Sequence, residues 1–166
     1  MTDYGRKQES DTGKEEPMPV VTNSVTIEMP LTQVWDFLDD PANSTQWFAG
    51  VTDIVGVNRT EERIGDNWTT KYSVMGFNMD ITQTVTEYEK DAKFTISLGG
   101  MMPGSYTTTL SGDGDSTKVT QTFDYEVKGG ALGKAMDRLV LERMNAKNAK
   151  SSLKKLKNLL EKKSTA

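Results

Sequence analysis

The residue types that most often carry catalysis are missing from this chain. It contains no His and no Cys, which excludes a Ser-His-Asp triad, a thiolate nucleophile, and imidazole or thiolate metal ligands. Acid or base chemistry would therefore fall to carboxylates, guanidinium groups and phenols. The candidates of these types are Glu142, Arg143 and Tyr72, and the hydroxyls of Tyr106 and Tyr125 can also bond a ligand oxygen.

Glu142 has the most informative position among these candidates. It falls near the middle of the apolar arc of a C-terminal helical pattern, between Leu139 and Ala146, and Arg143 falls near the edge of that arc. An unpaired carboxylate on an apolar face is costly. Glu142 therefore reaches solvent, pairs with Arg143 or a strand tyrosine, or lines a wet cavity. These alternatives stay open, so no catalytic residue is assigned.

The glycine-rich stretches are explained by turns and hinges. SGDGDS contains Asp113 and Asp115 but lacks the distal Glu of a calcium loop. Gly99-Gly100 and Gly129-Gly130 fit neither GxGxxG nor the P-loop spacing. We therefore expect no metal and no cofactor.

Length and composition predict one domain with short tails. Among the 166 residues, positions 1–18 are polar and aperiodic and are predicted to form a disordered tail. A single ligand-binding domain is predicted over 19–162, followed by a tail over 163–166. No secretory signal and no membrane-spanning run is recognisable, so we expect a cytoplasmic protein.

The charge of the chain is divided unevenly. The net charge is −4, yet Gly130–Ala166 carries +7 and the rest therefore −11. A basic helix face on an acidic domain is usually only solvated, and the acidic remainder argues against DNA as a partner. The alternative is an anionic partner such as RNA or lipid headgroups, with at most weak membrane contact. The Lys-rich face comprises Lys147, Lys150, Lys154, Lys155 and Lys157.

The periodicity predicts an α+β chain. Val20–Met29 alternates as a strand, and Leu31, Val34, Trp35 and Leu38 then recur at helical spacing. A second short helix is expected over Ala42–Phe48 and a long amphipathic helix over Ala131–Lys162. Between them, short turns separate strands and indicate an antiparallel meander. These strands are Val51–Asn58, Trp68–Val74, Phe77–Val85, Phe94–Leu98, Tyr106–Leu110 and Lys118–Val127.

The order and spacing of these elements resemble a known superfamily. The stretches that carry the resemblance are SVTIEMPLTQVWDFLDDPANSTQW (Ser24–Trp47), STKVTQTFDYEVKGGALG (Ser116–Gly133) and SLKKLKNLLE (Ser152–Glu161). They are similar to the START-related, birch-pollen-allergen-like helix-grip superfamily (SRPBCC), and within it to the polyketide cyclase/dehydrase and lipid-transport branch. The resemblance implies a curved antiparallel sheet of about seven strands around the C-terminal helix, with two short helices between the first and second strands.

The resemblance also implies a hydrophobic ligand held between sheet and helix. For each side chain, plain core packing is the competing interpretation. The expected wall residues are Trp68, Thr70, Tyr72, Phe77, Met79, Ile81, Phe94, Ile96, Leu98, Tyr106, Phe123, Tyr125, Met136, Leu139, Val140 and Arg143. The expected mouth residues are Trp47, Phe48, Met101 and Met102.

Three functions compete at this point. Binding or transport of a hydrophobic small molecule, such as a lipid, an isoprenoid or a polyketide-like compound, fits the apolar wall and the missing His and Cys. A cyclase or dehydratase would have to rely on Glu142, Arg143 or the tyrosines. A member that binds a protein or the ribosome would use the Lys-rich face. We expect a monomer with a small-molecule ligand.

Overall fold

The computed structural model describes residues 20–100, 102–125 and 138–165. The strands are β1 (Val21–Ile27), β2 (Val51–Asn58), β3 (Asn67–Val74), β4 (Phe77–Glu89), β5 (Lys93–Leu98), β6 (Gly104–Asp113) and β7 (Ser116–Tyr125). They form one antiparallel sheet in the order β1-β7-β6-β5-β4-β3-β2. Because β1 and β2 occupy opposite edges, the chain between them crosses the open side of the curved sheet.

That crossing is made by two short helical elements. They are α1 (Leu31–Asp39) and a 3₁₀ segment (Pro41–Gln46), and the C-terminal helix is α2 (Arg138–Ser164). The second element was predicted to continue to Phe48 but ends at Gln46, since its polar PANSTQ sequence has no apolar stripe that would extend it. The predicted tail over 1–18 and the predicted helical residues 131–137 lie outside the described part of the chain.

Strict alternation determines which side of β3 faces inward. Trp68, Thr70, Tyr72 and Val74 are buried, whereas the residues between them are partly exposed. The strand ends in a tight turn whose two central residues, Met75–Gly76, have φ values of 48° and 83°. Two consecutive positive φ angles match the right-handed twist of the strands that they join.

α2 covers the inner face of the sheet at the β1 edge. Leu153, Leu156 and Leu160 recur at helical spacing and pack in one cluster with Ile27 of β1 and Trp35 of α1. Burying each leucine contributes about 2 kcal/mol. No helix in the described ranges is long and apolar enough to cross a membrane.

Candidate functional site

A cavity lies between the inner face of the sheet and α2. It encloses about 140 Å³, a space that holds roughly one aromatic ring. A longer or multi-ring ligand would require side chains around it to move. The predicted residues that lie on its wall are Trp47, Phe48, Trp68, Thr70, Tyr72, Ile81, Phe94, Ile96, Leu98, Met102, Tyr106, Phe123 and Tyr125.

The prediction that Phe77 faces the cavity is wrong. Its side chain is 43% exposed, because it pairs with Val74 beside the Met75–Gly76 turn, at the exposed tip of the hairpin. Met79 is buried two residues further along β4, but it packs in a cluster with Tyr72 and does not lie on the cavity wall. Inward alternation alone therefore does not place a side chain at the cavity.

The helix candidates are only partly placed. Arg143 is exposed, so its assignment to the wall is wrong; its long stem carries the guanidinium to solvent. Glu142 is half-buried. Burial is the main cause of the raised pKa of Tyr125, and the charge of Glu142 adds to it. The alternatives given for Glu142 stay predictions. The predicted residues that lie outside the described part of the chain, as whole residues or as side chains, are Met101, Met136, Leu139 and Val140.

One end of the cavity carries an ion cluster, the charged end, which comprises Asp39, Arg59, Arg63, Asp66 and Tyr88. Nη1 and Nη2 of Arg63 donate to the two carboxylate oxygens of Asp39 at 2.8 and 2.9 Å. Nε of Arg63 donates to Asp66 at 2.8 Å, and the Tyr88 hydroxyl donates to Asp39 at 3.1 Å. The cluster thereby joins the end of α1 to the loop before β3.

The ion pairs hold Arg63 in a backbone conformation that favours glycine. Its φ is 66°, a conformation that costs a non-glycine residue about 1 kcal/mol or more. Hydrogen bonding to Asp39 raises the pKa of Arg63 further above its usual range. Asp66 is 1% exposed and also accepts from the Thr60 backbone N–H at 2.6 Å. Within the described ranges, no group of three acidic side chains is arranged to hold a metal ion.

The opposite end of the cavity, the tyrosine end, comprises Tyr72, Tyr125, Asn145 and Asn148. Asn145 Nδ2 donates to the Tyr125 hydroxyl at 2.8 Å, and the Asn148 side chain lies near Tyr72 and lowers the pKa of its phenol. The two asparagines lie three residues apart on α2, so both reach the same side of the helix. Asp66 directly precedes β3 and Tyr72 lies six residues further along the extended chain, which separates the two ends by about 20 Å.

A glycine makes room for the Tyr72 ring. Gly50 has a φ of 91°, and a Cβ built on it would lie 2.5 Å from Cε2 of Tyr72. Burial raises the pKa of both Tyr72 and Tyr125, and the neighbouring Asn148 and Asn145 side chains offset part of that increase. Both phenols are therefore neutral at physiological pH and can donate a hydrogen bond into the cavity.

Two buried polar atoms on the cavity wall have no hydrogen-bond partner within the part of the chain that is described. They are Oγ1 of Thr70 and Oε1 of Gln121, in side chains that are each 2% exposed. Gln121 keeps one bond, from Nε2 to the Thr108 hydroxyl at 3.3 Å. Because buried polar atoms are normally satisfied, a water or a ligand hydroxyl fits these positions.

The charged wall residues, Gln121 and the two asparagines are the part of the site that the sequence analysis did not identify. Asp39 lies at the end of a helical pattern and Asp66 in a loop, and neither these residues nor Arg59 and Arg63 belong to a periodic pattern. Asn145 was findable, since it belongs to a polar stripe at spacings of three to four residues on an otherwise apolar helix face. The other residues of that stripe are Glu142, Asn148 and Ser152.

The Lys-rich face lies on the side of α2 away from the cavity. Lys147, Lys150, Lys154 and Lys155 are exposed. Lys157 is engaged within the fold, since its Nζ donates to the Thr26 carbonyl and to Glu161, both at 2.6 Å.

The sheet, the covering helix and the two short crossing helices together define the helix-grip class. The family model for "Polyketide cyclase / dehydrase and lipid transport" matches residues 18–161. The chain therefore belongs to this family, within the START-related SRPBCC superfamily. No curated protein matches the sequence at a significant level.

Solved structures agree on the fold. The Zhui aromatase/cyclase from Streptomyces sp. R1128 aligns with a TM-score of 0.74 at 15% identity, over 88% of this chain and 95% of its own. A conserved protein from Geobacillus kaustophilus gives 0.71 at 17% identity, over 87% and 96%. A START superfamily protein from Mycobacterium smegmatis gives 0.65 at 15% identity, over 84% and 98%. Identities this low carry the fold and no specific activity.

Proposed function

We propose that the protein binds a hydrophobic small molecule in the cavity beneath α2 and carries or sequesters it. The observation that supports this most directly is the composition of the wall, where aromatic and aliphatic side chains surround a few placed polar groups. Small-molecule sites generally have this composition. Thr70 and Gln121 provide buried polar atoms that have no partner among the described residues, and a ligand hydroxyl would satisfy them.

The binding proposal is tested by amide NMR titration with a panel of fatty alcohols, isoprenoid quinones and polycyclic phenols. We expect saturable shifts around Tyr72, Tyr106 and Asn145. A matched pair of variants separates the cavity from the surface. Ala149→Leu adds bulk at a buried wall position, whereas Lys150→Leu adds the same side chain at the exposed neighbour.

Loss of the shifts in Ala149→Leu, with Lys150→Leu unchanged, would support binding in the cavity. Wild-type protein that shows no saturable shift with any compound would overturn the proposal. Shifts confined to the Lys-rich face would overturn it as well and would direct the search to RNA or anionic vesicles, whose binding weakens steeply with salt.

A second candidate is a cyclase or dehydratase, favoured by the two tyrosine–asparagine pairs at the tyrosine end. Tyr72 and Tyr125 can hydrogen-bond a carbonyl oxygen. However, burial raises the pKa of each phenol away from neutrality, and efficient proton transfer needs a pKa near the working pH. Binding is therefore the better-supported function. Turnover of a cyclisable poly-ketone that is lost in Glu142→Gln and in Tyr72→Phe would reverse this order.

A further inference from the structure

The charged end of the cavity contains an arginine whose binding edges are already taken. Two nitrogens of Arg63 meet both oxygens of Asp39, and the third meets Asp66. A free carboxylate binds arginine best through two parallel hydrogen bonds. Asp39 occupies that bidentate edge, so an incoming carboxylate finds no equivalent edge on Arg63.

The second guanidinium at this end is held by longer contacts, and its side chain is 37% exposed. Nη2 of Arg59 donates to the Asp39 carbonyl at 3.0 Å. Nη1 of Arg59 lies 3.5 Å from Asp66 Oδ2 and 3.9 Å from Asp39 Oδ2. Asp40 also borders the cavity. Among the described wall residues, three carboxylates therefore face two guanidinium groups, and the wall carries one net negative charge.

A carboxylate that entered this cavity would lose its water, would find the bidentate edge of Arg63 occupied by Asp39, and would face a wall of net negative charge. Burying a charge without a partner is strongly unfavourable, whereas a neutral hydroxyl or carbonyl incurs a far smaller desolvation cost. We propose that the charged end makes the cavity select neutral hydrophobic ligands over carboxylates, and that Asp39 is the specificity-determining residue. This inference rests on the proposed binding function and specifies its ligand class.

Asp39 is the residue whose replacement should change the selectivity. Asp39→Asn keeps the size of the side chain and an oxygen that can accept from Tyr88, but it removes one negative charge and weakens the hold on Arg63. Asp66 is less suitable, because it also accepts from the Thr60 backbone N–H and hydroxyl. The substitution would expose a guanidinium edge to a ligand in the cavity.

The test uses two ligands of one ring that differ in charge, para-propylphenol and para-propylbenzoate, titrated at neutral pH and followed by amide NMR. For the wild type we expect the phenol to bind at least about tenfold more tightly than the benzoate, because the buried benzoate carboxylate would lack a charge-assisted pair, which is worth that factor or more. In Asp39→Asn the affinity for the benzoate should rise about tenfold relative to the affinity for the phenol, with new chemical-shift changes at Arg63 and Tyr88.

Two further variants separate the freed guanidinium from simple charge. Asp80→Asn removes the same charge from an exposed pair on the outer face, in which Asp80 accepts from Lys71 at 2.7 Å. This variant should leave the ratio of phenol to benzoate affinity unchanged. Asp40→Asn removes a charge at the cavity edge without touching Arg63 and should change the ratio less than Asp39→Asn. Circular dichroism verifies the fold of each variant.

The outcomes separate the inference from the function on which it rests. Equal binding of both ligands to the wild type would overturn the inference and leave the binding function standing. If the wild type prefers the phenol and a folded Asp39→Asn variant shows the same ratio of phenol to benzoate affinity, the role of Asp39 is overturned. If Asp39→Asn does not fold, the wild-type comparison decides the selectivity. Wild-type protein that binds neither these ligands nor any compound of the wider panel would remove the function and the inference together.

Discussion

The two ends of the cavity solve the burial of polar groups differently. The charged end satisfies its groups internally, with every carboxylate of the Asp39–Arg63–Asp66 cluster paired to a cation. The tyrosine end places an asparagine beside each phenol, bonded to Tyr125 and near Tyr72, and retains hydroxyl protons for further bonding. The charged end therefore acts mainly on stability and charge selection, whereas the tyrosine end is suited to contact an uncharged ligand.

Removal of the central guanidinium should have the largest effect on this comparison. Arg63→Met leaves Asp39 and the buried Asp66 without their main partner and should destabilise the fold by about 3 kcal/mol. Denaturant unfolding followed by tryptophan fluorescence measures the change. The control, Lys71→Met, removes a cation from an exposed pair and should stay within about 0.5 kcal/mol. Equal losses in both variants would contradict the special role of the charged end.

A crowding substitution tests the tyrosine end. Gly50→Ala places a Cβ against the Tyr72 ring and forces a positive φ on alanine. We therefore expect the free energy of unfolding to fall by about 2 kcal/mol and the amide chemical shift of Asn148 to change. Gly76→Ala is the matched control, because its φ of 83° is similar but nothing lies within 4 Å of the added carbon. It should lose about 1 kcal/mol from backbone strain alone. Identical thermal shifts for the two variants would show that the ring contact is unimportant.

A double-mutant cycle measures one bond at the tyrosine end. Tyr125→Phe and Asn145→Ala each remove one partner of the 2.8 Å bond, and each should cost about 1 kcal/mol. If the bond is the shared cause, the double variant should lose less than the sum, with a coupling energy of about 1 kcal/mol. Strictly additive free energies of unfolding would indicate that the two side chains act independently.

The smallest effect is expected at alkaline pH, from Tyr106 between the two ends. Burial raises the pKa of Tyr106 in the folded state, so its stabilising contribution is complete below the unfolded pKa and decreases as pH rises towards the folded pKa. With an unfolded pKa of about 10, the loss at pH 10 is about 0.4 kcal/mol. Unfolding of wild type and Tyr106→Phe at neutral pH and at pH 10 isolates this difference. A Tyr106→Phe variant that shows the same pH dependence would refute it.

The predicted and the missed parts of the structure differ in how local their signals are. Alternation predicts β3 from Trp68, Thr70 and Tyr72. Helical spacing predicts α2 from Leu153, Leu156 and Leu160. These patterns fix which face is buried, so most of the apolar wall could be identified from them. Phe77 obeys the same alternation, yet the sequence does not show that the hairpin tip is exposed.

The charged end could not be predicted from the sequence, and the reason is physical. Asp39 and Arg63 are 24 residues apart and meet only because α1 ends beside the loop before β3. Neither residue is part of a repeating pattern, and Arg63 adopts a positive φ that its residue type does not favour. Only the three-dimensional path of the chain brings the two together.

The order of the strands has a consequence for biosynthesis. β1 pairs with β7, and Ser24 meets Thr120 at a sequence separation of 96 residues. A strand whose partner is made so late leaves the ribosome long before it can be paired, and contacts of such separation slow folding. Until β7 leaves the ribosome, β1 remains an unpaired edge strand that a chaperone or a second nascent chain can bind.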